Sequence, residues 1–283
     1  MAMEIFHSIA EYQRWREATV GWVGHVASLG YLHEGHRSLM RRARAENEHV
    51  VVTLYVNPLQ FGPGEDFDTY PRDPAKDEFV CAQEDVSALL LLSDDEMYPQ
   101  NFGTKVSPTV AMDRYEAASR PEHFAGVATV VTKLFNIVRP HRSYFGLKDY
   151  QQVQVVRRIT EDLHLSVEVV GARTEREPDG LAMSSRNVRL SGAERSSAPL
   201  LYRALQEVQA CLSSGERSVA EGLRRGRSVL DATKVPMTLE YFDAVAPITL
   251  DRVDELKDGA VVLAALRLPS ARLIDNIVLE DEA

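Results

Sequence analysis

Apolar residues in this 283-residue chain first appear as short runs rich in β-branched side chains, at 20–26, 50–56, 86–92 and 167–170. Runs of that length without polar alternation predict strands covered on both faces, as in a parallel sheet. Between them the period becomes helical. One segment sets Leu39, Met40 and Ala43 against Arg37, Arg41, Arg42 and Arg44; another spans 126–138. A third, 151–163, places Val155, Val156, Ile159 and Leu163 on one face. Alternating strand and helix predicts the α/β class, with a Rossmann-like doubly wound parallel sheet whose ligands sit beyond the carboxyl ends of the strands.

The pattern changes near residue 173, where a polar stretch to 187 contains the turn formers Pro178, Asp179 and Gly180. The expected division is a nucleotide- and substrate-binding domain over 1–172 and a smaller α+β lid domain over 173–283. The second part reads as one long helix from 193 to 212, another at 219–230, and strands at 238–245, 260–268 and 272–279.

Composition narrows the partners. Apolar residues make up 45%, enough for a sizeable core, and 32 Lys plus Arg face 42 Asp plus Glu for a net charge of −10. That balance disfavours non-specific attraction to nucleic acid or anionic lipid, so an anionic ligand needs a local basic site. The N-terminus lacks a basic segment followed by an apolar stretch, and no apolar run approaches membrane-spanning length, which predicts neither membrane nor nucleic-acid partners and a cytoplasmic location. Cys81 and Cys211 are too few and too far apart for a disulfide framework or a metal spacing, and read as buried or incidental thiols.

Four segments carry candidate chemistry. Leu32-His33-Glu34-Gly35-His36 follows the first strand and opens the first helix, where unpaired N–H groups and the helix dipole favour a phosphate. Gly30 and Gly35 permit close backbone approach, and the two imidazoles add donors. A zinc motif of the H-E-x-x-H type needs histidines four apart, and here they are three apart. Gly21, Gly24 and Gly30 do not have the dinucleotide spacing G-x-G-x-x-G. Taken alone, the pair also reads as two capping or surface histidines.

Asn57-Pro58-Leu59-Gln60-Phe61-Gly62 falls at the end of the second strand, where its amides suit the hydroxyl and carboxylate groups of a small ligand, or simply form a turn. The stretch Asp66-Phe67-Asp68-Thr69-Tyr70-Pro71-Arg72 that follows is acidic enough to attract Mg²⁺ or to be a solvated loop. Near 144–152, at a strand-to-helix junction, Lys148 offers a mobile charge for a phosphate and Gln152 projects from the first helical turn. Beyond the domain boundary, Met183-Ser184-Ser185-Arg186-Asn187 combines hydroxyls and a guanidinium on a loop suited to clamping phosphate.

A histidine pair at the first helix, a lysine junction at a late strand and a Ser-Ser-Arg loop beyond it are similar to the layout of nucleotidylyl-transfer enzymes. More narrowly the chain resembles the pantothenate synthetases, through LHEGH at 32–36, VNPLQFG at 56–62, YPR at 70–72 and HFAGVATVVTKLFNIV at 123–138. The likeness continues with YFGLKDYQQ at 144–152, DGLAMSSRN at 179–187 and RLIDNIVL at 272–279.

That resemblance implies ATP-dependent activation of (R)-pantoate as pantoyl adenylate, then capture by β-alanine, with Mg²⁺ bound mainly through ATP phosphates and a homodimer formed by the N-terminal domain. It implies catalytic roles for His33, His36 and Lys148. Nucleotide contacts are implied at Leu29, Gly30, Tyr31, Leu32, Glu34, Gly35, Gly146, Leu147, Asp149, Glu175, Met183, Ser184, Ser185 and Arg186. Pantoate and β-alanine contacts are implied at Asn57, Gln60, Tyr70 and Gln152. The chain departs from the family at Ala27-Ser28-Leu29-Gly30, where Pro-Thr-Met-Gly is usual, at Tyr31 for alanine and at Leu147 for an acid. Two rival readings remain: an adenylyltransferase acting on another small carboxylate or a phosphate, and a nucleotide-binding protein without turnover.

Overall fold

The computed structural model describes residues 3–65, 67–110, 112–214, 218–256 and 259–279. In chain order the first part runs β1 (Glu4–Phe6), α1 (Ile9–Ala18), β2 (Val23–Ser28), α2 (Glu34–Glu46), β3 (His49–Leu54), α3 (Pro74–Gln83) and β4 (Ala88–Leu91). It continues with α4 (Asp94–Met97), α5 (Tyr115–Ser119), α6 (His123–Val138), β5 (Arg142–Gly146), α7 (Tyr150–Asp162) and β6 (Glu168–Ala172). The second part holds α8 (Gly192–Ser197), α9 (Leu200–Ser213), α10 (Val219–Leu230), β7 (Thr238–Val245), β8 (Ala260–Arg267) and β9 (Arg272–Leu279).

The chain divides into two compact units: Met1–Gly146 with Gln151–Arg173, and Leu147–Tyr150 with Thr174–Ala283. In the first, six parallel strands take the order β1-β4-β3-β2-β5-β6. The chain builds from β2 outward to β3 and β4 on one side, then crosses to β5 and β6 on the other. The order therefore reverses between β2 and β5, the place where sheets of this kind bind ligands. Val50, Val51, Val52, Ala88, Leu89 and Leu90 are all fully buried, the reason these strands read as unbroken apolar runs. The second unit packs α9 and α10 against an antiparallel sheet ordered β7-β8-β9, around Leu201, Leu205, Val208, Val262 and Leu266.

Several boundaries differ from the pattern-based expectation. The run expected over 20–26 becomes a strand, β2, only from Val23, because Gly21 turns the chain with φ +104° and leaves Val20 88% exposed. The expected helix over 193–212 is two helices, interrupted at Pro199, which has no N–H for the ladder. Leu163 lies past the end of α7 and is exposed, whereas Val155, Val156 and Ile159 are buried. The short β1 and the helices α1 and α3 were not legible in the apolar pattern. α3 is announced only by Asp73, whose carboxylate accepts the Lys76 N–H, and by Pro74 at its first position. Both cysteines are buried and unpaired, with burial raising the Cys81 thiol to about 12.

Candidate active site

Beyond β2 the chain makes a tight, left-handed approach to α2. Ser28 Oγ accepts the Gly30 N–H at 3.1 Å, and Gly30 and Tyr31 follow with φ of +92° and +54°. For tyrosine that conformation costs roughly 1–2 kcal/mol, and a buried carboxylate offsets it. Asp77, on α3 and 2% exposed, accepts the N–H of Tyr31 at 2.8 Å and of Leu32 at 2.7 Å. Burial raises the Asp77 pKa, and these two N–H groups act against the rise. The Leu32 side chain sits in the core at 2% exposure. Ala27 and Ser28, two of the departures from the family pattern, are paired strand residues opposite Thr53 and Leu54.

His33 caps α2, and the two histidines lock each other through a reciprocal cap. His33 Nδ1 accepts the Gly35 N–H at 3.1 Å, while His36 Nδ1 accepts the His33 N–H at 3.3 Å, with ring centroids 4.1 Å apart. An Nδ1 that accepts carries no proton, so each neutral ring bears its proton on Nε2. The cap thus fixes the tautomer of both rings at a helix N-terminus, where the dipole favours negative charge. Glu34 is held below the ordinary carboxylate range, chiefly by a hydrogen bond from Arg41.

Beyond β3, Asn57 is fully buried and its amide is spent internally. Its Oδ1 accepts from the Leu59 N–H and the Tyr98 hydroxyl, and its Nδ2 donates to Gln60 Oε1 at 3.0 Å and to the Gly126 carbonyl. The Gln60 carboxamide is therefore oriented by its oxygen. The turn at Pro58–Gln60 presses against α6 so closely that a Cβ on Gly126 would lie 2.1 Å from the Leu59 carbonyl oxygen. On the Gln60 carbonyl converge His123 Nδ1 at 2.9 Å and Arg120. Burial, with Arg120 adding to it, pushes His123 down to about 4. Tyr70 is buried against Phe61 at 6.0 Å. Asp66 lies outside the described residues.

Beyond β5, Leu147–Asp149 forms a single 3-10 turn before α7. At Gly146 a Cβ would meet nothing within 4 Å, so neither packing nor φ requires glycine there. Gln152 is half-buried on the first turn of α7, whereas Gln151 is buried and spends its amide on the Glu116 N–H and the Arg114 carbonyl. In the second unit, Lys148 Nζ lies 3.7 Å from Asp149 and the backbone carbonyls of Leu147 and Lys148 accept from Asn276. The Ser-Ser-Arg segment leaves a narrow hairpin-like turn. The Met183 N–H bonds the Glu175 carbonyl at 2.9 Å, Arg176 bridges Ala182, and Gly180 turns with φ +95°. Ser184 Oγ then accepts the Arg186 N–H to start a short helical turn over Ser185–Arg189.

Unit 1 thus brings the carboxyl ends of the neighbouring strands β2 and β3, with His33, His36 and Gln60, together with Gln152 just after the next strand, β5. Unit 2 holds Lys148, Glu175, Met183, Ser184, Ser185 and Arg186. The sequence alone assigns no role to the supporting residues Asp77, Arg176 and Asn276, although Asn276 lies in the RLIDNIVL segment. Among the described residues no group of three or more His, Cys, Asp or Glu side chains is placed to hold a metal ion. Nor is any described helix long and apolar enough to cross a membrane.

Comparison with known proteins gives one consistent set of relatives. A family model described as Pantoate-beta-alanine ligase matches residues 4–278. The chain is 48% identical over 280 residues to the pantothenate synthetase of Roseiflexus castenholzii, covering 98% of this chain and 100% of that one. It is 51% identical over 259 residues to the enzyme of the same name from Thermus thermophilus, covering 90% and 92%. A solved pantothenate synthetase structure from Thermus thermophilus superposes with a TM-score of 0.94 at 47% identity, covering 98% and 100%. The pantoate-beta-alanine ligase of Francisella tularensis, solved with "Beta-gamma ATP" and β-alanine, superposes at 0.80 with 30% identity, covering 98% of each chain.

Proposed function

The chain belongs to the pantoate–β-alanine ligase family, and we propose how its residues carry out the ATP-dependent joining of (R)-pantoate to β-alanine. Products are pantothenate, AMP and pyrophosphate. A carboxylate oxygen of pantoate attacks the α-phosphorus of ATP in line, and the bond from that phosphorus to the β-phosphate bridge breaks. The uncharged amine of β-alanine then attacks the acyl carbon of pantoyl adenylate, the acyl–oxygen bond breaks, AMP leaves, and the amine proton passes to solvent. No protein nucleophile takes part, so the residues act by positioning and by stabilising charge.

The observation that carries the assignment of roles is the reciprocal cap of His33 and His36, which sets two Nε2 donors at the head of α2. In this reading both rings and Lys148 bind phosphoryl oxygens as charge develops. The segment from Leu29 to Gly35, with Gly146, Leu147 and Asp149, lies along the nucleotide. Gly146 fits that role because, among the described residues, an added Cβ there would meet nothing within 4 Å. Glu175, Met183, Ser184, Ser185 and Arg186 close on the nucleotide from the second unit, which serves as a lid that keeps water from the acyl adenylate. Gln60, Gln152 and Tyr70 bind pantoate and β-alanine, with Asn57 orienting Gln60 from behind.

Bound β-alanine and an ATP-type nucleotide in the Francisella relative support the substrate set. Mg²⁺ would enter with ATP and draw on phosphate oxygens, since no described cluster of side chains is built to hold it alone; when bound it neutralises phosphate charge. A dimer formed by the first unit and a cytoplasmic location complete the proposal.

Isotope transfer tests the chemistry. Pantoate labelled with ¹⁸O in its carboxylate places one labelled oxygen in AMP if the carboxylate attacks the α-phosphorus. Unlabelled AMP formed with full turnover would rule the adenylate out. Unchanged small-angle scattering at saturating ATP would count against the lid.

A further inference from the structure

Strand β9 carries two adjacent buried polar residues, Asp275 at 4% and Asn276 at 5% exposure. Buried polar groups of this kind stay in place only when their hydrogen bonds are satisfied. Successive residues of a strand face opposite sides, so the two side chains serve different neighbours. Asn276 donates both hydrogens of Nδ2 to consecutive backbone carbonyls, Leu147 at 2.7 Å and Lys148 at 3.0 Å. Asp275 accepts a two-pronged pair from Arg176, at 2.6 and 2.9 Å. The same guanidinium donates to the Gly180 carbonyl at 3.1 Å and lies 3.5 Å from the centre of the Tyr202 ring. Gly180 is the left-handed corner of the turn that leads to Ser184.

Two segments far apart in the chain are thereby tied to neighbouring positions on one rigid strand. One amide fixes the turn that carries Lys148. The carboxylate beside it fixes, through Arg176, the turn that precedes the Ser-Ser-Arg segment. The two residues are also linked directly, since the Asn276 backbone N–H donates to Asp275 Oδ1 at 2.8 Å. A planar amide meeting two carbonyls, and a planar guanidinium meeting a carboxylate and a ring face, each define an orientation as well as a distance.

We propose that Asp275 and Asn276 form a positioning pair for adenylate formation, holding Lys148 and the Ser184–Ser185–Arg186 segment in one fixed relation. The pair touches neither reactant, and the proposal rests on the reading of Lys148 as a phosphate ligand. It predicts energetic coupling between Asn276 and Lys148 that a general contribution to stability does not produce.

The test is a double-mutant cycle with Asn276→Ala and Lys148→Ala, reading the rate of pantoate-dependent pyrophosphate release by the full chain. Asn276→Ala alone lowers kcat about tenfold to a hundredfold, as small misplacements of a reacting group do, with the KM for pantoate unchanged. In the Lys148→Ala background the same substitution has less than about a threefold effect, because the group it positions is gone. An equal factor in both backgrounds, or a wild-type rate in Asn276→Ala, overturns the pair while leaving the role of Lys148 standing. A wild-type rate in Lys148→Ala instead overturns the reading of Lys148. Should Asn276→Ala not fold, Asn276→Ser, which keeps one donor, enters the same cycle with the same criteria.

Discussion

The Asp77 carboxylate accepts the backbone N–H of Leu32 at 2.7 Å across a separation of 45 residues, and so fixes the turn from which the histidine pair emerges. Its second bond, to the Tyr31 N–H, stabilises a left-handed tyrosine. Asp77→Ala leaves two N–H groups without this acceptor and destabilises the fold by about 1–3 kcal/mol. It also lowers the rate of pyrophosphate release by roughly tenfold or more, because the rings it supports lose their fixed geometry. Thermal denaturation and the pantoate-dependent rate check both effects. A stable, fully active Asp77→Ala protein would remove Asp77 from the account.

Gly126 allows α6 to touch the turn that carries Gln60. A methyl group there cannot fit 2.1 Å from the Leu59 carbonyl, so Gly126→Ala displaces the turn or the helix. The expected cost is about 1–3 kcal/mol of stability, together with a raised KM for pantoate and little change in ATP affinity. Calorimetric titration with each substrate separates the two.

A buried histidine, His25, and a half-buried one, His123, make stability depend on pH. Burial lowers His25 to about 3, between the hydroxyls of Ser143 and Thr53, and His123 lies near 4. Both folded-state values lie below the unfolded one near 6.5. Their contribution is fully present above about pH 6.5 and is lost as pH falls toward 4 for His123 and toward 3 for His25, because the unfolded chain then binds protons that the folded chain refuses. Melting temperature therefore falls over that window, and His123→Gln flattens the fall. An unchanged slope in that variant would contradict the assignment.

Much of this was legible in the chain itself. Unbroken apolar runs announced the parallel sheet because its strands are covered on both faces, and the place of Leu32–His36 after a strand marked the start of a helix. The residues without a local signal act at a distance. Asp77 reads as one acid among several in 65–78, Asn276 as a polar interruption of a strand, and Gly126 as an ordinary helical glycine. Each matters only through a partner brought near by folding. Asn57 shows the opposite case: its place in the sequence suggested a ligand contact, whereas its amide is consumed in holding Gln60 and the Gly126 carbonyl. The break at Pro199 was visible in the sequence, yet the helical period continues across it.

The roles given to His36 and Lys148 stand on their effect in the first half-reaction. His36→Ala removes one Nε2 donor and the cap on the His33 N–H, and Lys148→Ala removes a mobile charge. Each lowers adenylate formation by at least about tenfold to a hundredfold. Near wild-type rates in both variants would dismantle this site.

The most direct test of the central claim is a single-turnover experiment with excess enzyme, ATP, Mg²⁺ and pantoate, quenched with and without β-alanine. The account predicts stoichiometric pyrophosphate without β-alanine, and AMP only once β-alanine is added. Pyrophosphate release that waits for β-alanine, or AMP released freely in its absence, would contradict an enzyme-held pantoyl adenylate.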